Sequence, residues 1–356
     1  MKKILFCLLI TTTLLAACTK TDSTVVETTV AESAKVETTE AKVETTKVPG
    51  ADYIVKSVNH MKEREFSFDS SIDFSYTGSD AYLKAITDEM VNSAKEFFGG
   101  QGAVEIPTPY VVKIDDSDKN DIKVYGDFYI YGYDMNGTIF NCKNGGSFPG
   151  CYHLQDKDGK VSFVSKEIAE DGSNNYSSLL KICGNDEELV KKIFGIVDSD
   201  KEKTRVEYVK MYADANKLRV YGIKDYGWPI ILFNDAPDAE FVYNFYRSYF
   251  EEIRQDDSLN DMPERIERLK KKYITSEALK KIDDMTMEVG ADMVISAQDA
   301  TDEMMDTLTV DDFDNGDLRV SYKGGEPEPR YINIKVRPID GNKMIVSIEP
   351  IMPTVP

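Results

Sequence analysis

Residues 122–133 read Ile-Lys-Val-Tyr-Gly-Asp-Phe-Tyr-Ile-Tyr-Gly-Tyr. A two-residue alternation of this length is the mark of an extended strand, because successive side chains of a strand point to opposite faces. Tyr125, Asp127, Tyr129, Tyr131 and Tyr133 share one face; Val124, Gly126, Phe128 and Ile130 share the other. Further strands are expected at 138–142, 150–155 and 160–165. The segments between them, Met135-Asn136-Gly137, Asn144-Gly145-Gly146 and Lys157-Asp158-Gly159, carry turn chemistry. The pattern predicts an antiparallel meander.

Helical spacing surrounds it. Asp80 to Phe98 places Leu83, Ile86, Met90, Ala94 and Phe97–Phe98 on one stripe, which Gly99-Gly100 stops. Pro107 and Pro109 mark an extended segment. Helices are expected at 174–182, 185–195 and 201–216, the last facing inward with Val206, Val209, Tyr212 and Ala213, and a short strand at 218–223. Asn234-Asp235-Ala236-Pro237 is a turn-rich boundary. Beyond it a helix from Asp238 to Arg254 carries Val242, Phe245, Tyr246, Tyr249 and Ile253 as its stripe. Pro263 opens a helix over 263–272, and Thr275 caps another to about Glu288. Strands are expected at 306–311, 317–323, 330–337 and 343–349, the last two joined by Asp340-Gly341-Asn342. A 356-residue chain exceeds the ~250 residues at which single cores stop growing. The expected fold class is therefore α+β in two domains, 51–235 and 236–352, each with helices packed on an antiparallel sheet.

The C-terminal half also carries a resemblance. Asn244-Phe245-Tyr246-Arg247-Ser248-Tyr249, Tyr273-Ile274-Thr275, and Ala297-Gln298-Asp299 before Leu308-Thr309-Val310 look like a family of bacterial envelope proteins without assigned activity. That family has a nuclear-transport-factor-2-like, or cystatin-like, fold, and it is similar to immunity proteins that block secreted cell-wall amidases. Where its last strand often carries a tryptophan, this chain has Met344-Ile345-Val346. The resemblance implies a cone with a pocket between the long helix and the sheet, on which Tyr246, Tyr249, Asp292, Gln298 and Asp299 would converge. In enzymes of this fold an Asp acts as base and a Tyr donates a hydrogen bond, the logic of ketosteroid isomerases.

Met1-Lys2-Lys3 followed by an apolar run from Ile4 to Ala17 reads as a signal peptide over residues 1–17, too short for a permanent span. Leu15-Ala16-Ala17-Cys18 resembles the lipobox of bacterial lipoproteins. The resemblance implies cleavage before Cys18, acylation of its thiol with palmitate-type chains, and a body outside the cytoplasm, anchored to the envelope membrane. Thr19 to Gly50 has no aromatic residue and repeats Val-Glu-Thr-Thr at 26–29, 36–39 and 43–46. With only Val and Ala it lacks the large residues of a coiled-coil seam. Residues 18–50 are expected to be a lipidated cysteine and a disordered tether with a reach on the order of 30 Å.

The formal charge of −20, with no basic run, excludes nucleic acid as a partner, since phosphates need Lys/Arg patches. With only His60 and His153, little material exists for a His-based site. Asp116-x-Asp118-x-Asn120 imitates a calcium loop, but Asp121 stands where glycine is needed, so no metal or cofactor is assigned. Cys142 and Cys151 flank a loop on strands expected to be adjacent, which makes them the candidate disulfide of an exported chain. Tyr125, Asp127, Tyr129 and Tyr131 form a face that can stack on and hydrogen-bond a polar ligand. The expected function is a membrane-anchored, non-catalytic protein that binds an envelope protein or a small polar ligand. The alternatives are an isomerase- or hydrolase-like enzyme using an Asp/Tyr pocket, and an immunity-like inhibitor of a secreted toxin.

Overall fold

The alternating segment is the centre of one sheet. In the computed structural model, which describes residues 45–47, 54–59, 71–98, 104–255, 261–313 and 315–352, the chain opens with strands β1 (Thr45–Lys47) and β2 (Ile54–Asn59). Helix α1 (Ala81–Phe98) and strands β3 (Val104–Asp115), β4 (Ile122–Asn136), β5 (Ile139–Gly146), β6 (Pro149–Lys157) and β7 (Lys160–Ile168) follow. The signal segment, Cys18, His60 and the Gly99-Gly100 stop lie outside the described residues.

β3 runs antiparallel along one edge of β4 for its whole length. Pro107 and Pro109, which lack the N–H that would extend a ladder, sit on this edge strand. On the opposite edge β5 pairs with Ile130–Asn136 and β6 pairs with Ile122–Asp127. β5 and β6 thus lie end to end along β4. This corrects the turn expected at Asn144-Gly145-Gly146: the chain keeps its direction there. The glycines answer close packing, since a Cβ on Gly146 would stand 2.9 Å from the Phe148 ring. The real hairpin turn is Asp158-Gly159, with φ of 56° and 81°, between β6 and β7.

Both faces of this sheet are covered. α1 lays Ile86, Met90 and Ala94 against Val124, Phe128 and Ile130. Helices α2 (Asn175–Ile182) and α3 (Glu187–Phe194) pack Leu179, Val190 and Ile193 near Tyr125. Helix α4 (Asp198–Ala215) brings Tyr208, Val209 and Tyr212 to Tyr133 and Phe140. β8 (Gly222–Lys224), four residues later than expected at its start, adds to β5 in parallel, and β9 (Ile231–Leu232) closes the edge.

Helices α5 (Asp238–Arg254), α6 (Met262–Tyr273), α7 (Ser276–Val289) and α8 (Asp302–Thr307) precede strands β10 (Thr309–Asp312), β11 (Leu318–Tyr322), β12 (Arg330–Ile339) and β13 (Asn342–Ile351). Thr275 caps α7 by accepting from the Ala278 N–H at 3.4 Å. The strand expected from 306 begins instead as the last turn of α8. The second sheet has the order β1-β2-β10-β11-β12-β13, every pair antiparallel.

Two expectations change here. β2, placed by sequence in the first domain, pairs with β10 in the second sheet, Val58 opposite Val310. Thr45–Lys47, expected to be tether, pairs with β2. One apolar cluster moreover joins Ile139, Ile230 and Leu232 to Phe241, Phe245 and Tyr249 of α5. With β2 crossing to the second sheet and a core common to both halves, Val43–Pro356 falls into one compact unit, so a cut at 235 does not divide it. The fold class is α+β with antiparallel sheets and one parallel pair. Among the described residues no helix is long and apolar enough to cross a membrane.

Candidate functional site

The tyrosine face of β4 is not an open platform. Arg205 from α4 sits over the Tyr131 ring at 4.0 Å, donates from Nε to the Tyr133 hydroxyl at 2.5 Å, and forks onto Asp225 at 2.6 and 2.7 Å. Tyr129 stacks on Tyr131 with centroids 4.6 Å apart, and the Tyr131 hydroxyl meets that of Tyr110 at 3.1 Å. Asp127 is buried, accepting from the Ser147 hydroxyl at 2.8 Å, and burial raises its pKa above the usual carboxylate range. Burial likewise pushes Tyr125 up to about 12. The alternation that drew attention to these residues belongs to a sheet packed on both sides. The Tyr131 and Tyr133 hydroxyls and the Asp127 carboxylate are engaged inside the protein.

The C-terminal candidates divide. Tyr246 and Tyr249 are fully buried on α5. Tyr246 donates to the Val294 carbonyl at 3.0 Å, Tyr249 donates to Asp292 Oδ2 at 2.6 Å, and Tyr322 donates to the Ile295 carbonyl. Asp292 in turn accepts from the Val294 N–H at 2.9 Å and exchanges backbone hydrogen bonds with Ala297. Three tyrosines therefore pin one turn to the helix and sheet. Gln298 and Asp299 are exposed, and Asp299 accepts from the adjacent Ala300 N–H at 2.8 Å. The expected convergence is a brace: Tyr246, Tyr249 and Asp292 meet each other, and Gln298 and Asp299 do not join them.

The proposed disulfide is excluded by the topology. Cys142 lies opposite Tyr133 and Cys151 opposite Tyr125, eight residues apart along β4, which is roughly 26 Å at the rise of a strand. Both thiols are free, as is that of Cys183. Burial pushes Cys142 up to about 11 and Cys151 up to about 12, so neither is a thiolate at neutral pH. Beside Cys151, His153 Nδ1 lies 2.6 Å from Asp121 and Nε2 lies 3.5 Å from Glu167. Among the described residues no group of three His, Cys, Asp or Glu side chains is placed to hold a metal ion.

The cavity of interest lies elsewhere. A cleft of about 330 Å³ opens between β5, β8 and α5. α5 contributes Asn244, Arg247, Ser248, Glu251 and Gln255, a polar stripe at three- and four-residue spacing. It lies beside the apolar stripe that sequence analysis followed, and so escaped notice. β5 adds Ile139, Asn141, Cys142 and Lys143; the segment from Lys224 to Ile230 adds Asp225 and Tyr226.

Every charge in this cleft has a partner. Arg247 pairs with Glu251 at 3.1 Å and donates to Asn136 Oδ1 at 2.9 Å. Lys143 pairs with Asp134 at 2.9 Å, and Asp225 is held by Arg205. Lys224 pairs with the buried Glu252, which also receives Arg265 at 2.9 Å. Asn244 donates to Thr138 Oγ1 at 3.1 Å and to the Glu240 carbonyl at 2.9 Å. In contrast, no side-chain hydrogen bond among the described residues engages Asn141, Ser248 or Gln255, and Ser248 is only 2% exposed. The cleft thus presents unspent amides and a hydroxyl between compensated charges.

Neither protein-family models nor curated proteins match this chain. Among solved structures, a protein of unknown function from Bacteroides thetaiotaomicron VPI-5482 aligns at 26% identity over 32% of this chain and 88% of its own, with a TM-score of 0.29. An Ntf2-like protein involved in plasmid conjugation aligns at 9% identity over 80% of this chain and 92% of its own, with a TM-score of 0.17. Both superpositions are too loose to assign a function.

Proposed function

We propose that this chain is a lipid-anchored envelope protein whose folded body holds a small polar ligand in the cleft between β5, β8 and α5. One observation carries the binding half of the proposal: α5 turns a polar stripe toward the cleft. A helix lying against other elements ordinarily fills such a space with apolar side chains. Ser248 and Asn141 line it with polar groups that no side chain of the described residues engages, and a ligand can hydrogen-bond them. The volume sits at the lower end of small-molecule sites.

The anchoring half rests on the lipobox-like Leu15-Ala16-Ala17-Cys18 behind a basic start and an apolar run. Cleavage there removes Lys2 and Lys3, so acyl chains act without help from a basic patch. On this reading residues 236–352, with α5 laid against β10 and β11, form a nuclear-transport-factor-2-like half.

Two measurements test the proposal. Methyl NMR of the purified chain, titrated with a library of small polar molecules, should show shifts centred on Ile139 and Ile230. Shifts scattered over the surface, with none at those methyls, would remove the cleft as the binding site. Cys18→Ser should move the chain from the membrane to the soluble fraction; retention in the membrane pellet refutes the anchor.

A further inference from the structure

We infer that the ligand of this cleft is a neutral saccharide and that Tyr226 is the ring on which it stacks. The inference rests on the cleft being the binding site. Tyr226 is 93% exposed at the rim of the cleft, so its position owes nothing to core packing. Yet the turn that carries it is firmly held. The Trp228 N–H donates to the Asp225 carbonyl at 3.3 Å, and Gly227, with φ of 73°, occupies the third position of that turn. Asp225 is clamped by the Arg205 fork, and Arg268 from α6 lies over the Trp228 ring at 5.6 Å. The turn is fastened at both ends, so only the rotamers of the ring itself remain to be ordered when a ligand arrives.

The chemistry of the ligand follows from the charges and from what remains unsatisfied. Arg247, Lys143, Lys224 and Asp225 are each paired within the protein. A charged ligand would compete with these pairs, which already compensate each charge of the cleft. The unspent groups, Asn141, Ser248 and Gln255, each both donate and accept. That is the complement of hydroxyls, which also do both. A pyranose supplies hydroxyls around its edge and an apolar C–H face for the tyrosine ring. Amides beneath, an aromatic ring at the rim and no free charge select a neutral saccharide over nucleotides, uronic acids and zwitterionic peptides.

Isothermal titration of the purified full-length chain tests this with named probes: cellotriose, maltotriose and tri-N-acetylglucosamine as neutral saccharides, trigalacturonate as the anionic one, trialanine and adenosine. At least one neutral saccharide should bind. Tyr226→Ala, at a position open to solvent, should weaken it about five- to tenfold with unchanged circular dichroism, and Tyr226→Phe should keep most of the affinity. Binding of trigalacturonate, trialanine or adenosine instead, with shifts at Ile139 and Ile230, overturns the saccharide assignment and leaves the cleft as the site. Neutral saccharide binding that Tyr226→Ala does not weaken overturns the stacking role. If none of the probes binds, the saccharide inference fails, while the cleft itself is judged by the library titration above.

Discussion

Asp225→Ala should destabilise the protein far more than a typical change at a partly exposed acid. Its carboxylate is 28% exposed, but the Arg205 side chain that it pairs is only 7% exposed. Removing Asp225 leaves a guanidinium in the interior with only Tyr133 and the Tyr131 face for company. Breaking a buried pair from one side costs about 3–5 kcal/mol. Water already reaches Asp225 and can partly replace it, so the lower end applies, about 3 kcal/mol, or roughly a 150-fold shift in the folding equilibrium. Arg205→Met keeps the bulk over Tyr131 but strands the fully buried Tyr133 hydroxyl, at about 1–3 kcal/mol. With both changes together no buried charge remains, and the loss should fall short of the sum by at least about 1.5 kcal/mol. Urea unfolding followed by far-UV circular dichroism reads all three variants. A loss under about 1 kcal/mol for Asp225→Ala, or strict additivity in the double variant, would show that the fork does not hold α4 to the sheet.

Three further outcomes follow from the same geometry. Burial raises the Asp127 pKa, so its contribution to stability is full below the unfolded value and is lost as pH rises through the folded one; Asp127→Asn should therefore gain on the wild type between acid and neutral pH, and parallel unfolding profiles over that range would contradict this. Tyr246→Phe should cost about 1 kcal/mol in urea unfolding by leaving the Val294 carbonyl without its donor, while ligand shifts at Ile139 stay unchanged; altered ligand shifts would return Tyr246 to the binding site. Alkylation in urea without reductant should label Cys142, Cys151 and Cys183 completely, whereas a linked Cys142–Cys151 peptide in the mass spectrum would refute the end-to-end placement of β5 and β6.

Much of the local structure was legible in the residues. α1, α5 and α7 lie within a residue or two of the expected positions because each carries an apolar stripe at helical spacing, which Thr275 sharpens as the cap of α7. Asp158-Gly159 and Asp340-Gly341 proved to be hairpin turns because both residues of each pair take the positive φ that such turns need. The candidate site was much less legible. Tyr125, Asp127, Tyr129 and Tyr131 signalled a strand correctly but not what packs over it, since alternation does not say whether a helix covers the face. Asn141 and Ser248 had no signal of their own: one is an ordinary strand residue, and the other lies within a helix whose apolar stripe drew attention away from it.

The sequence by itself determined most of the helices and strands and several of the turns. These depend on interactions over a few residues, which periodicity and turn chemistry record. Only the tertiary structure decided that β5 continues into β6 along one edge of β4, and that β2 crosses to the second sheet. It also decided that α5 faces β5 and β8 across a polar cleft. The last two outcomes join residues about a hundred or more apart, Val58 with Val310 and Asn141 with Ser248. Pairings over that distance are selected by the combined burial of whole faces and the satisfaction of buried charges, and no short window of sequence contains them.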